Sequence, residues 1–238
     1  MEKSCSELRS LQVRWLKLSE ELRRSPGRGK GLAGPFLSVP SVGQPSILLV
    51  GKATFGPWNE KSFLECCGKT MDSRILERQR FTTQFIQQRA KSYGGGFWPF
   101  ARQINKELVV EWKTRPIDPL QHVTWTNICK VGTAKGNPRG RLLECQRDLA
   151  IETLRCEIQE YSPKLVWFVT WDFCWDIVKE TVRARNDETW DRGGNEECIW
   201  SFPADGTRPP VLLTGHPERR PRKDRRLWIK KALDLISE

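Results

Sequence analysis

The chain reads as an α/β protein, a three-layer α/β/α sandwich around a central, mostly parallel four-stranded sheet. Two observations predict this. Short runs of strand length recur at 47–50, 123–128, 165–170 and 211–214, and the first, Ile47-Leu48-Leu49-Val50, reads as a strand covered on both faces. Glycine or polar residues and then stretches of helical length accompany them, predicting helices at about 73–91, 99–112, 142–161, 172–185 and 223–237 and hence parallel strands joined by crossovers. An extra edge strand is expected at 198–202.

Ahead of the sheet, Leu8, Leu11, Val13, Trp15, Leu16, Leu18 and Leu22 recur among charges near helical spacing and stop at Ser25-Pro26-Gly27. The organisation expected is therefore an amphipathic helix over 1–25, a glycine-, proline- and serine-rich connecting loop over 26–45, and one compact domain over 46–238.

Bulk composition narrows the partners. The formal net charge of +11 is concentrated along the chain rather than spread, which points to nucleic acid. Apolar runs fall far short of the ~20 residues that span a bilayer, and Met1 leads into charged residues, so a cytoplasmic monomer without membrane contact is expected. Eight cysteines form no C-x-x-C pair, and Cys66-Cys67 are adjacent, a poor geometry for two ligands on one ion. Neither metal nor cofactor is expected, and most cysteines read as small reduced core residues.

In a parallel sheet the loops at the carboxyl ends of the strands converge on one site. Three carry chemistry here: Gly51-Lys52-Ala53-Thr54-Phe55-Gly56-Pro57, Trp125-Thr126-Asn127-Ile128, and Gly215-His216-Pro217-Glu218-Arg219-Arg220. The first is expected to expose backbone N–H groups to a ligand, but lacks the spacing of a nucleotide-phosphate loop. Asn127 offers donor and acceptor in one plane, suited to a base edge. His216, one of two histidines, can donate a hydrogen bond to charge developing on a departing group. His122 has no identifiable partner and reads as structural.

The order of these loops resembles the uracil-DNA glycosylase superfamily. Leu48-Leu49-Val50-Gly51 is similar to its first motif, Thr124-Trp125-Thr126-Asn127 to the strand with the base-reading asparagine, and Thr214-Gly215-His216-Pro217 to the histidine-proline motif. The run from Cys145 to Thr170 resembles the helix and buried strand between the last two motifs, so the likeness covers about 45–236. It implies a glycosylase that flips a nucleotide from DNA and hydrolyses its N-glycosidic bond. Asn127 would pair with the base and His216 would stabilise the leaving group. Gly51, Lys52, Ala53, Thr54 and Phe55 would border the pocket, with Phe97 or Trp98 stacking on the base. Arg219 and Arg220 would act as wedge or phosphate clamp, and Arg222, Lys223, Arg225 and Arg226 would track the backbone.

The resemblance also has a departure. Lys52-Ala53 stand where many members of the superfamily carry a water-activating Asp, Asn or Glu. Glu60, Asp172, Asp205 and Glu218 are the other carboxylates that could supply one. The altered motif shifts the expected substrate toward modified cytosines such as glucosylated hydroxymethylcytosine in phage DNA, as an antiviral defence. Uracil or deaminated-base repair and a catalytically inactive DNA-binding module are the alternatives.

Overall fold

The structure is a computed structural model. It describes residues 2–24, 32–39, 47–53, 70–92, 96–115, 117–133, 136–171, 173–183, 191–192, 200–202, 208–218 and 220–237. The helices are α1 (Glu2–Arg24), α2 (Met71–Ser92), α3 (Phe97–Glu111), α4 (Arg141–Glu144), α5 (Arg147–Tyr161), α6 (Trp175–Thr181) and α7 (Arg222–Ser237). The strands are β1 (Leu32–Ala33), β2 (Ile47–Ala53), β3 (Val123–Cys129), β4 (Gly132–Thr133), β5 (Leu165–Phe168), β6 (Asp191–Arg192), β7 (Trp200–Phe202) and β8 (Val211–Leu213).

The main sheet runs β3-β2-β5-β8-β7-β6. Its first four strands are parallel neighbours, whereas β7 pairs antiparallel with β8 and β6 with β7. The four predicted strands thus form the parallel body, and the strand anticipated at 198–202 is present over Trp200–Phe202 as β7, but not at the edge, since the unanticipated β6 pairs on its far side. Starting at β2, the chain moves out to β3 and then returns past β2 to β5. This is a Rossmann-like arrangement, and a reversal of this kind marks the place, at the carboxyl ends of the strands, where such folds generally bind ligands.

Successive strand residues feed opposite layers. Leu48, Val50, Val166, Phe168, Val211 and Leu213 join the core with α1, α5 and α6, whereas Ile47, Leu49, Leu165, Trp167 and Leu212 join the core with α3 and α7. Helix α1 belongs to the first core: Trp15 and Leu16 are fully buried, and the indole N–H of Trp15 donates to Thr153 Oγ1 at 2.8 Å.

Four local expectations change. The 26–45 connection is not a plain surface loop among its described residues, since β1 pairs with β4 and Phe36, Leu37 and Ser38 are buried. The predicted 142–161 helix divides into α4 and α5. The predicted 172–185 helix begins at Trp175, because Trp171 and Cys174 take left-handed φ values of 57° and 58°, which no helix accommodates. His122 does have partners: Nε2 lies 2.9 Å from Thr114 Oγ1 and 2.8 Å from Gln121 Nε2, with the ring edge-on to Trp112. No helix among the described residues is long and apolar enough to cross a membrane.

Candidate functional site

The first strand of the site continues further than its sequence suggests. Gly51 and Ala53 remain in β2, opposite Asn127 and Cys129 of β3, so residues 51–53 form a paired strand rather than an open glycine loop. Asn127 is only 3% exposed. A Cβ at Gly51 would lie 2.5 Å from Asn127 Oδ1 and 3.6 Å from the indole nitrogen of Trp125. Glycine therefore lets the asparagine carboxamide lie across the backbone of β2, and any side chain there would push it aside.

His216 leaves the sheet three residues after β8. The strand exit is fixed by Thr214, whose N–H donates to Phe168 O at 2.8 Å and whose carbonyl accepts from Trp171 N–H at 2.9 Å. The Trp167 indole donates to Thr214 Oγ1 at 2.9 Å. Beyond it, Glu218 N–H donates to His216 Nδ1 at 3.3 Å. An accepting Nδ1 requires the proton of the neutral ring to sit on Nε2, which makes Nε2–H the available donor.

Helix α3 closes this corner. A Cβ at Gly96 would fall 2.6 Å from Glu218 Cα and 3.0 Å from Pro217 O, so glycine allows the start of α3 to seat on the histidine loop. Phe97 then stacks on the imidazole, with centroids 6.0 Å apart and planes 25° apart. Phe97 also meets Trp125 edge-on at 6.5 Å. Trp98 behaves differently: it is 6% exposed and packed among Phe85, Phe97 and Trp125. Of this pair, Phe97 is the half-buried ring beside His216, while Trp98 is core.

The electrostatics favour a neutral imidazole. Burial first, then the positive charge of Lys52, lower the His216 pKa from its ordinary 6.5, and Glu218 opposes them. The Glu218 carboxylate lies 3.9 Å from Nδ1 and is half exposed. Of the four carboxylates considered for orienting water, Glu218 alone is described; Glu60, Asp172 and Asp205 lie outside the described residues.

Imidazole titration followed by NMR tests this arrangement. Both histidines should titrate below 6.5. Lys52→Met should raise the His216 value and leave His122 unmoved, since removing a cation lowers the cost of the imidazolium; an unmoved His216 would contradict the coupling. Below pH 6.5 the unfolded chain binds protons that the folded chain refuses, so these groups make stability fall as pH drops through that range.

The cationic residues divide. Arg220 lies over the Trp171 ring, its guanidinium carbon 5.1 Å from the centroid. Arg222, Lys223 and Arg226 are exposed on the first turns of α7, and Arg225 is half-buried. Arg222 and Arg226 line a groove of about 530 Å³ between α3 and α7 together with Lys106 and Lys230. The sequence reading missed these two lysines, although Arg222, Arg226 and Lys230 follow one another at four-residue steps, which places them along one face of a helix. Thr54, Phe55 and Arg219 lie outside the described residues.

No protein-family model matches the chain, and no curated protein matches it in sequence. Among the described residues no group of three or more His, Cys, Asp or Glu side chains could hold a metal ion. Cys129, Cys156 and Cys174 are buried and Cys145 is exposed. Burial and neighbouring carboxylates push the Cys156 thiol up to about 11, as suits an inert core thiol.

Proposed function

We propose that the chain is a monofunctional DNA glycosylase of the uracil-DNA glycosylase kind, which hydrolyses the N-glycosidic bond of a flipped, modified pyrimidine and leaves an abasic site. The observation that carries the reading is a chain of contacts: His216 stacks on Phe97, Phe97 meets Trp125, and Trp125 borders the Gly51–Asn127 pair. A hydrogen-bonding carboxamide, an aromatic face and a neutral imidazole donor thus share the carboxyl edge of a parallel sheet, where such folds bind ligands.

In this reading Asn127 holds the base edge and Phe97 supplies a stacking face. As the bond from C1′ to the base nitrogen breaks, its electron pair leaves with the base, and His216 Nε2–H donates to the oxygen on which charge accumulates. Water forms the new bond to C1′, and the proton it loses balances the departing base. A preorganised donor of this kind contributes about 3–4 kcal/mol at the transition state, and the oxocarbenium-like sugar needs only a weakly activated nucleophile. DNA is the partner, with Arg222, Lys223 and Arg226 meeting phosphates.

Lys52-Ala53 in place of an acid favours a divergent substrate, and glucosylated hydroxymethylcytosine of phage DNA is the first choice, excised as antiviral defence. The same replacement gives weight to a second reading, a module that binds DNA without cleaving it. Oligonucleotides carrying uracil, hydroxymethylcytosine or glucosylated hydroxymethylcytosine, scored for abasic sites, separate these. Release from the glucosylated strand alone is the expected result. Release of uracil would mean repair, and salt-sensitive binding without any abasic product would leave only the binding module.

A further inference from the structure

We propose that Trp171 is a stacking platform for an unpaired nucleobase, so that the protein takes single-stranded DNA beside the nucleotide held at Asn127 and His216. The proposal takes its partner class from the glycosylase reading, but none of its chemistry.

Among the tryptophans whose side chains are described, Trp171 alone belongs to neither core. Its indole is half-buried, and its backbone sits at φ 57°, a left-handed conformation unfavourable for a bulky residue. The hydrogen bond from its N–H to Thr214 O, 2.9 Å long, holds it there. Such a conformation persists only where the surroundings over-determine it, and here the surroundings are the strand exit that delivers His216. Side-chain atoms of both Trp171 and Arg220 come within 3.3 Å of the point a Cβ would occupy on Gly215, the residue before His216. The ring is therefore fixed at the rim of the site.

What covers the ring identifies what replaces the cover. The Arg220 guanidinium sits 5.1 Å from the centroid of Trp171. Two residues further along the same loop, the Phe173 ring lies 5.6 Å from the Lys52 ammonium, which comes from the end of β2. Trp171, outside both cores, and Phe173, packed against the core of α1, α5 and α6, thus each lie beside a cation from a neighbouring strand exit. Aromatic faces interleaved with cations match single-stranded nucleic acid, whose bases offer free π faces and whose phosphates follow each base. A guanidinium over this half-buried ring is a modest partner, and a nucleobase of the same planar shape can take its position. Arg220 then turns its forked donors to the phosphate that arrives with that base. Duplex bases stack on one another and present no free face, so the platform selects unpaired strands.

The test is the affinity of the full chain for a labelled thymidine dodecamer, which contains no target base, and for the same sequence as a duplex. Trp171→Asn keeps a residue that tolerates the left-handed backbone and deletes the ring; Trp171→Phe keeps an aromatic face. Trp171→Asn should weaken dodecamer binding about tenfold or more while duplex affinity stays within about threefold, and Trp171→Phe should retain most of the single-strand affinity. The proposal is overturned if the unmodified protein does not bind the dodecamer, if Trp171→Asn binds it as tightly as the unmodified protein, if phenylalanine fails as badly as asparagine, or if single strand and duplex weaken together. Base release scored separately keeps the two ideas apart. Trp171-dependent dodecamer binding with no abasic product from the modified strands sinks the glycosylase and leaves the platform, whereas base release by a protein whose dodecamer binding is indifferent to Trp171 does the reverse.

Discussion

His216→Ala should slow base release about 10²–10³-fold, the loss expected when one preorganised donor to a developing oxyanion is removed. Affinity for the DNA should change little, because burial and the Lys52 charge favour the neutral imidazole, which offers a phosphate no positive charge. Asn127→Ala should have a different signature. Its carboxamide is buried beside Gly51, so its removal costs base recognition as well as turnover and leaves a polar pocket unpaired. Single-turnover release against substrate concentration separates the two, with His216→Ala lowering the maximal rate and Asn127→Ala also raising the half-saturation point. A His216→Ala variant that releases base at the unmodified rate would remove the histidine from the chemistry.

The parts of this site that were legible in the sequence are those with a local cause. Ile47-Leu48-Leu49-Val50 reads as a buried parallel strand because β2 has parallel neighbours on both sides, so no residue needs to face water. The histidine is conspicuous because it is one of two in the chain and lies three residues after an apolar run. What escaped is set by distant partners. β2 continues through Gly51 and Ala53 because β3 pairs with them, whereas a glycine after an apolar run reads locally as a turn. Phe36 looks like part of a linker, yet its N–H donates to Lys130 O at 3.0 Å and its ring packs on Phe85 and Trp125. Trp171 could not be told from the core tryptophans, because its left-handed backbone comes from a tertiary hydrogen bond to Thr214.

The least legible feature should have the largest effect on stability. Lys130 and Glu157 are each 1% exposed and pair at 2.6 Å, although lysine and glutamate in a sequence normally signal a solvated surface. Burial lowers the Lys130 pKa, and Glu157 opposes that shift. Around the pair, Lys130 also donates to Thr126 Oγ1, Thr126 donates to Glu157 Oε2 at 2.9 Å, and Ser38 donates to Glu157 Oε1 at 2.5 Å. Tyr161 hydroxyl lies 2.8 Å from Ser38 Oγ, and burial with the Glu157 charge holds its phenol well above the ordinary value. The network ties the 32–39 segment, the end of β3 and α5 together through Thr126, the residue next to Asn127. Lys130→Met leaves a buried carboxylate uncompensated and should cost about 3–5 kcal/mol, and Glu157→Gln alone strands the ammonium at a comparable cost. The double variant should recover much of either loss, since the one carbonyl oxygen of glutamine still accepts from one of the Ser38 and Thr126 hydroxyls, its amide can donate to the other, and no charge remains to be buried. Urea unfolding of the four proteins measures the coupling. Single variants that each lose less than about 1 kcal/mol, or losses that simply add in the double variant, would show that the pair does not hold this corner of the fold.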